Sequence, residues 1–103
     1  MIQELEFLKS WGLIFKQMFM DYPLKPYLNA HYKTCVDAYQ ALSDKKSCFQ
    51  TDIEKGLKNL ESYFLLVERQ EDDKAYYDRA QYCVFILQQI EKKKAINSQL
   101  TMF

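Results

Sequence analysis

Residues 51–69 read TDIEKGLKNLESYFLLVER, and they predict the helix around which the fold is organised. Thr51 can accept a hydrogen bond from the backbone N–H of Glu54, whose side chain can reach back to the N–H of Thr51. This capping box predicts a helix start. Apolar residues then recur at intervals of three and four, the spacing of one helix face: Ile53, Leu57, Leu60, Phe64 and Val67. A helix that buries one face needs partner helices.

The composition favours an all-α domain. The chain has 103 residues, so we expect residues 1–103 to form a single helical-bundle domain with one core. Hydrophobic residues make up 49% and charged residues 27%, a balance that argues against disorder. A β-sandwich or barrel needs many tight turns, whereas this chain has two Gly and two Pro.

The first segment with helical periodicity runs from Ile2 to about Asp21. Its inner apolar stripe is Leu5, Leu8, Gly12, Phe15 and Phe19. A glycine within this stripe indicates close approach by a neighbouring helix. A second stripe lies beside the first: Phe7, Trp11, Ile14 and Met18.

The second helix follows the break Tyr22–Pro26, because each proline disfavours helical dihedral angles in the residue before it. This helix should begin near Leu24 to Pro26 and run to about Leu42. Its stripe is Leu28, Tyr32, Cys35, Tyr39 and Leu42. Ser47 with Gln50 offers an alternative, earlier capping box for the third helix.

The junction between the third and fourth helices lies in the polar run 68–74, which contains no Gly or Pro. One continuous helix would fit this stretch. We favour a break because the apolar stripe changes phase here, and we expect Asp72 or Asp73 to be the N-cap of the fourth helix. The fourth helix should run to about Lys94, and its middle, residues 82–87, should be largely buried. Its stripe is Tyr76, Ala80, Cys83, Leu87 and Ile90. Because short connections join the four predicted helices, we expect them to pack as an antiparallel, up-down-up-down four-helix bundle, which is an all-α fold.

Charge and cysteine content narrow the function classes. The formal net charge is zero, which argues against a nucleic-acid partner because proteins that bind nucleic acids carry a basic excess. Three cysteines, Cys35, Cys48 and Cys83, without a CxxC motif favour reduced thiols and a cytoplasmic location over a disulfide scaffold. The N-terminus lacks the pattern of a secretory signal, and we expect no membrane association.

His31, the sole histidine, is the residue that invites a catalytic interpretation. A mid-helix histidine on the second of four helices resembles the arrangement in histidine phosphotransfer domains. Those domains place Lys three residues after the histidine and Gly next, where this chain has Thr34 and Cys35. We therefore favour a histidine at the core edge and keep phosphotransfer as an alternative. His31 and Cys35 alone are too few ligands for zinc, so we expect no metal, cofactor or enzymatic activity.

The second stripe of the first helix is the candidate protein-binding site, comprising Phe7, Trp11, Ile14 and Met18. Trp, Phe and Met are enriched at interfaces, although a helix flanked on two sides would bury the same residues. The leading hypothesis is a non-enzymatic protein that binds another protein, or itself, through its first helix. In size and layout the chain resembles small bacterial helical adaptors, secretion chaperones and immunity proteins, without a shared motif. A nucleic-acid-associated bundle is a further alternative.

Overall fold

The computed structural model describes the backbone of residues 2–43 and 50–101, and the side chains of residues 3–43 and 53–92. Its four helices are α1 (Ile2–Asp21), α2 (Pro26–Ser43), α3 (Gln50–Glu71) and α4 (Lys74–Thr101). No strand occurs in these described ranges. The predicted all-α, antiparallel four-helix bundle is confirmed. The alternative capping box at Ser47 lies outside the described residues, as does Cys48.

The bundle consists of two helical hairpins, α1 with α2 and α3 with α4, and backbone contacts between the hairpins run chiefly through α2. The core lies between the hairpins. Phe15, Leu60, Phe64 and Ile86 are completely buried at its centre. The stripe that predicted α3 is confirmed, since Ile53, Leu57, Leu60 and Phe64 are buried and Val67 is half-buried.

The turn between α1 and α2 lies where the prolines predicted it. The backbone N–H of Tyr22 donates to the carbonyl of Met18 at 2.8 Å, which closes the last turn of α1. The N–H of Lys25 then donates to the carbonyl of Tyr22 at 3.1 Å, and α2 begins at Pro26. Proline suits this first helical position because its missing N–H would have no intrahelical acceptor.

The turn between α3 and α4 is made by two aspartates, and the predicted break is confirmed. Asp72 has a φ of 51°, in the left-handed region that usually favours glycine. Asp73 is the N-cap of α4, because its Oδ1 accepts a hydrogen bond from the N–H of Ala75 at 3.0 Å. Aspartate tolerates the left-handed conformation better than most residues, which explains a turn without glycine.

The structure corrects several details of the helix faces. α4 continues to Thr101, beyond the predicted end near Lys94. Its core position after Cys83 is Ile86, which is fully buried, rather than Leu87. Phe85 is 40% exposed, so the apolar middle of α4 is not buried all round. Tyr39 of α2 is 37% exposed rather than in the core, because Ala38 occupies the inward position beside it.

Small residues set the distances between helices. A Cβ on Gly12 of α1 would lie 3.4 Å from the Cβ of Cys35 on α2, in van der Waals contact. The predicted close approach at Gly12 is therefore confirmed. The tighter contact lies at Gly56 of α3, where an added Cβ would overlap the hydroxyl of Thr34 on α2.

Candidate functional site

The predicted binding stripe on α1 packs largely against the chain's own core. The Phe7 ring lies 4.7 Å from the ring of Tyr82 on α4, measured between centroids. The Trp11 ring meets Phe64 of α3 nearly edge-on, at 4.8 Å and 77°. Both side chains are half-buried. This flank of α1 joins the first hairpin to the second, across a gap that large aromatic side chains fill.

Arg79 of α4 covers part of this stripe. Its guanidinium carbon lies 5.1 Å from the Trp11 ring centroid and 4.5 Å from that of Tyr76, within range of cation–π attraction. Met18 is also packed against the core, whereas Ile14 is 42% exposed. A binding role for the four stripe residues stays a prediction, and Ile14 is the most accessible of them.

The more open apolar surface lies on the other flank of α1. An outward-facing groove of about 440 Å³ runs between α1 and α2. Buried Leu8 and Cys35 contribute to its floor, and Leu13, 60% exposed, and Tyr39 stand at its edges. The full lining is Leu8, Lys9, Gly12, Leu13, Tyr32, Cys35, Val36, Tyr39, Gln40 and Ser43. We call this feature the α1–α2 groove.

The apolar stripes do not indicate the α1–α2 groove, because Leu13 belongs to neither stripe of α1 and Tyr39 belongs to the predicted core stripe of α2. One signal was present in the sequence. Leu13 and Met20, which is 65% exposed, are seven residues apart and share one helix face. These two apolar residues lie on a face of α1 that otherwise carries the exposed charged residues Glu6, Lys9 and Lys16.

His31 is buried among aromatic rings, with 7% of its surface exposed. Its ring centroid lies 5.2 Å from Phe15 on α1, 5.1 Å from Tyr63 on α3 and 6.0 Å from Tyr27 on α2. Burial lowers the pKa of His31, which favours the neutral imidazole. A phosphotransfer histidine has to reach a donor domain, so this environment disfavours that role.

The described cysteines have the character of small apolar side chains. Cys35 and Cys83 are each 1% exposed and carry free thiols. Burial raises the pKa of Cys35 to about 12 and also raises the pKa of Cys83, so neither forms the reactive thiolate near neutral pH. In the part of the chain that the structure describes, no three His, Cys, Asp or Glu side chains are grouped to hold a metal ion.

Comparison with known proteins leaves the geometry as the main guide to function. The chain matches no known family, and no curated protein or solved structure is significantly similar to it. Across the described residues, no helix combines the length and apolar character needed to cross a membrane. The α1–α2 groove is therefore the feature from which a function is best inferred.

Proposed function

We propose that this chain is a non-enzymatic helical protein that binds another protein through the outer face of the α1–α2 hairpin. The observation that carries this proposal is the α1–α2 groove, which has a buried apolar floor and exposed apolar edges. Contiguous apolar surface of this kind is favourably removed from water by association. The first helix keeps its predicted role, but through Leu13 on one flank rather than through Trp11 on the other.

The residue types around the groove support a protein partner. Tyr32 and Tyr39 offer large, stiff side chains with a polar tip, a type enriched in protein interfaces. Gln40 and Ser43 supply hydrogen-bonding groups at one end of the groove. An apolar centre with polar groups at the margin is the usual composition of such an interface.

This proposal includes an adaptor, chaperone or inhibitor role in the cytoplasm, where the buried thiols would remain reduced. The two rival functions have weaker support. Phosphotransfer would require an accessible His31, whereas its ring is enclosed by Phe15 and Tyr63. Nucleic-acid binding would favour a basic excess, whereas the net charge of the chain is zero.

Site-specific photocrosslinking tests the proposal. A photoreactive amino acid at position 13 would be compared with the same amino acid at position 66, where Leu66 is a comparably exposed leucine on α3. In cells that naturally contain the protein, we expect a discrete crosslinked product from position 13 and none from position 66. A third position, Ile14, tests the stripe predicted from the sequence. Absence of any discrete product at positions 13 and 14 would refute protein binding through α1.

A further inference from the structure

We propose that His31 is a pH-sensitive latch, which holds the α1–α2 turn and the first turns of α2 against α1 and α3. Protonation of its imidazole releases this end of the bundle while the rest of the chain remains folded. The inference goes beyond the proposed function and does not depend on binding in the α1–α2 groove. It follows from the contacts of His31 and from the few other contacts of the segment before it.

His31 lies where the start of α2 meets two other helices. Its ring centroid is 5.1 Å from that of Tyr63 on α3, a contact that crosses from one hairpin to the other. It is 5.2 Å from the ring centroid of Phe15 on α1, and Phe15 is completely buried. One side chain therefore attaches the beginning of α2 both to α1 and to the second hairpin.

The segment before His31 has few other attachments to the core. Leu28 is the one buried residue of 20–30, and every other residue of this segment is exposed. The extreme case is Leu24 in the turn, at 94% exposed. Segments with few buried apolar contacts open locally at a lower free energy than the core does. The hold of His31 therefore matters more to this segment than a single contact would matter at the centre of the bundle.

The surroundings of His31 accommodate a neutral imidazole and offer no partner to a charged one. Burial alone lowers the pKa of His31, and no charged side chain contributes to the shift. The groups that face its ring are Phe15 from α1, Tyr27 from α2 and Tyr63 from α3, and none is a carboxylate. Tyr76 of α4 influences the pKa of Tyr63, but no group of α4 contributes to that of His31.

A proton on His31 is therefore best accommodated by movement of the imidazole into water. Cation–π attraction to the rings offsets only part of the lost hydration. Water is close, because Tyr27 lies one turn earlier on the same face of α2 and is 46% exposed. Opening of the first turns of α2 hydrates the imidazolium and leaves the core around Leu60 and Ile86 in place.

The first experiment follows the imidazole of His31 directly in the wild-type chain. Histidine is the side chain that ordinarily gains its charge between pH 5 and 8, and His31 is the sole histidine. Its NMR signals can therefore be assigned without ambiguity and followed from pH 7.5 to 5.0. We expect a pKa below the ordinary value of about 6.5, with far-UV circular dichroism still helical throughout the titration.

The second experiment measures where the chain opens, by amide hydrogen exchange at pH 7.5 and 5.0. The amides of residues 30–34 donate to carbonyls in the first turns of α2, so they report on this segment. Their protection factors should fall several-fold at pH 5.0, whereas those of residues 83–87 in α4 should not change. His31→Phe is the control, because it keeps a ring at this position and cannot be protonated. Its protection factors should be alike at the two pH values.

Three results would overturn the inference. The first is a pKa of His31 at or above 6.5 in the folded chain, which would show that the rings favour the imidazolium. The second is an equal fall in the protection of residues 30–34 in the wild type and in His31→Phe. The third is a parallel fall at residues 30–34 and 83–87, which would mean that acid unfolds the whole bundle rather than releasing one end.

Discussion

The hydroxyl oxygen of Thr34 on α2 occupies the space in which a side chain at Gly56 on α3 would begin. Thr34 has little freedom to move away, because its Oγ1 donates a hydrogen bond to the carbonyl of Ala30 at 3.0 Å. Its branched Cβ also restricts χ1 within a helix. Of the two glycines, Gly56 has the closer neighbour, and its contact with Thr34 joins the two hairpins.

We predict that Gly56→Ala destabilises the protein although alanine is the better helix former. A new Cβ would lie 3.0 Å from Cγ2 of Thr34 in addition to overlapping its hydroxyl. Overpacking of this kind costs about 1–3 kcal/mol, which exceeds or offsets the gain of about 1 kcal/mol in helix propensity. Urea denaturation should therefore show a lower free energy of unfolding for the variant.

Gly12→Ala is the matched control for this prediction. The added Cβ would lie in ordinary contact with Cys35, so we expect stability to be unchanged or raised by up to about 1 kcal/mol. Adding Thr34→Ala to Gly56→Ala should recover part of the loss. Equal effects of Gly12→Ala and Gly56→Ala would contradict the close contact at Gly56.

We predict that Trp11→Ala lowers the free energy of unfolding by about 3 kcal/mol, because Trp11 packs against Phe64, Phe15 and Arg79. For the same reason, the double variant Trp11→Glu with Phe7→Ser should unfold rather than merely lose a partner. Circular dichroism during thermal and urea unfolding measures both. Ile14→Ala is the control on the same flank and should change stability by less than about 0.5 kcal/mol, as expected for an exposed position.

We predict that His31 makes the protein less stable as the pH falls below about 6.5, the ordinary pKa of histidine. Burial lowers the pKa of His31 in the folded chain, so the unfolded chain binds a proton first and stability is lost between the two pKa values. The rings around His31 are Phe15 on α1, Tyr27 on α2 and Tyr63 on α3, and none of them is a carboxylate that could pair with a protonated imidazole.

His31→Gln isolates this effect, since His31 is the sole histidine. Unfolding in urea at several pH values between 5 and 7.5 should show a shallower dependence on pH for the variant than for the wild type. Parallel curves for the two proteins would show that His31 titrates alike in the folded and unfolded chains, contrary to its burial.

We predict opposite effects for substitutions at the two aspartates of the α3–α4 turn. Asp73→Ala removes the side-chain acceptor for the N–H of Ala75 and should cost about 1 kcal/mol. Asp72→Gly should raise stability or leave it unchanged, because glycine adopts the positive φ without strain. Asp72→Val should be destabilising at this φ. A stabilising Asp72→Val would mean that the turn adopts another conformation in solution.

The number of helices, most of their bounds and most of the core of α3 follow from the amino-acid sequence alone. The signals behind these predictions act within one helix or one turn: the prolines before α2, Asp72 or Asp73 before α4, and the intervals of three and four in α3. Such signals depend only on residues that are close in sequence, so they predict helix bounds without knowledge of which helices pack together. The end of α4 carried no such signal, and it lies beyond the predicted position.

Which flanks of α1 are covered depends on how the four helices pack together. Periodicity showed that α1 is apolar over much of its circumference, but it could not show that Trp11 meets Phe64 while Leu13 remains exposed. Periodicity also placed Gly12 in a core stripe, but it gave no indication that Gly56 contacts a neighbouring helix. These outcomes depend on the distances and rotations between helices that are remote in sequence, and the combined packing of all four helices sets those quantities.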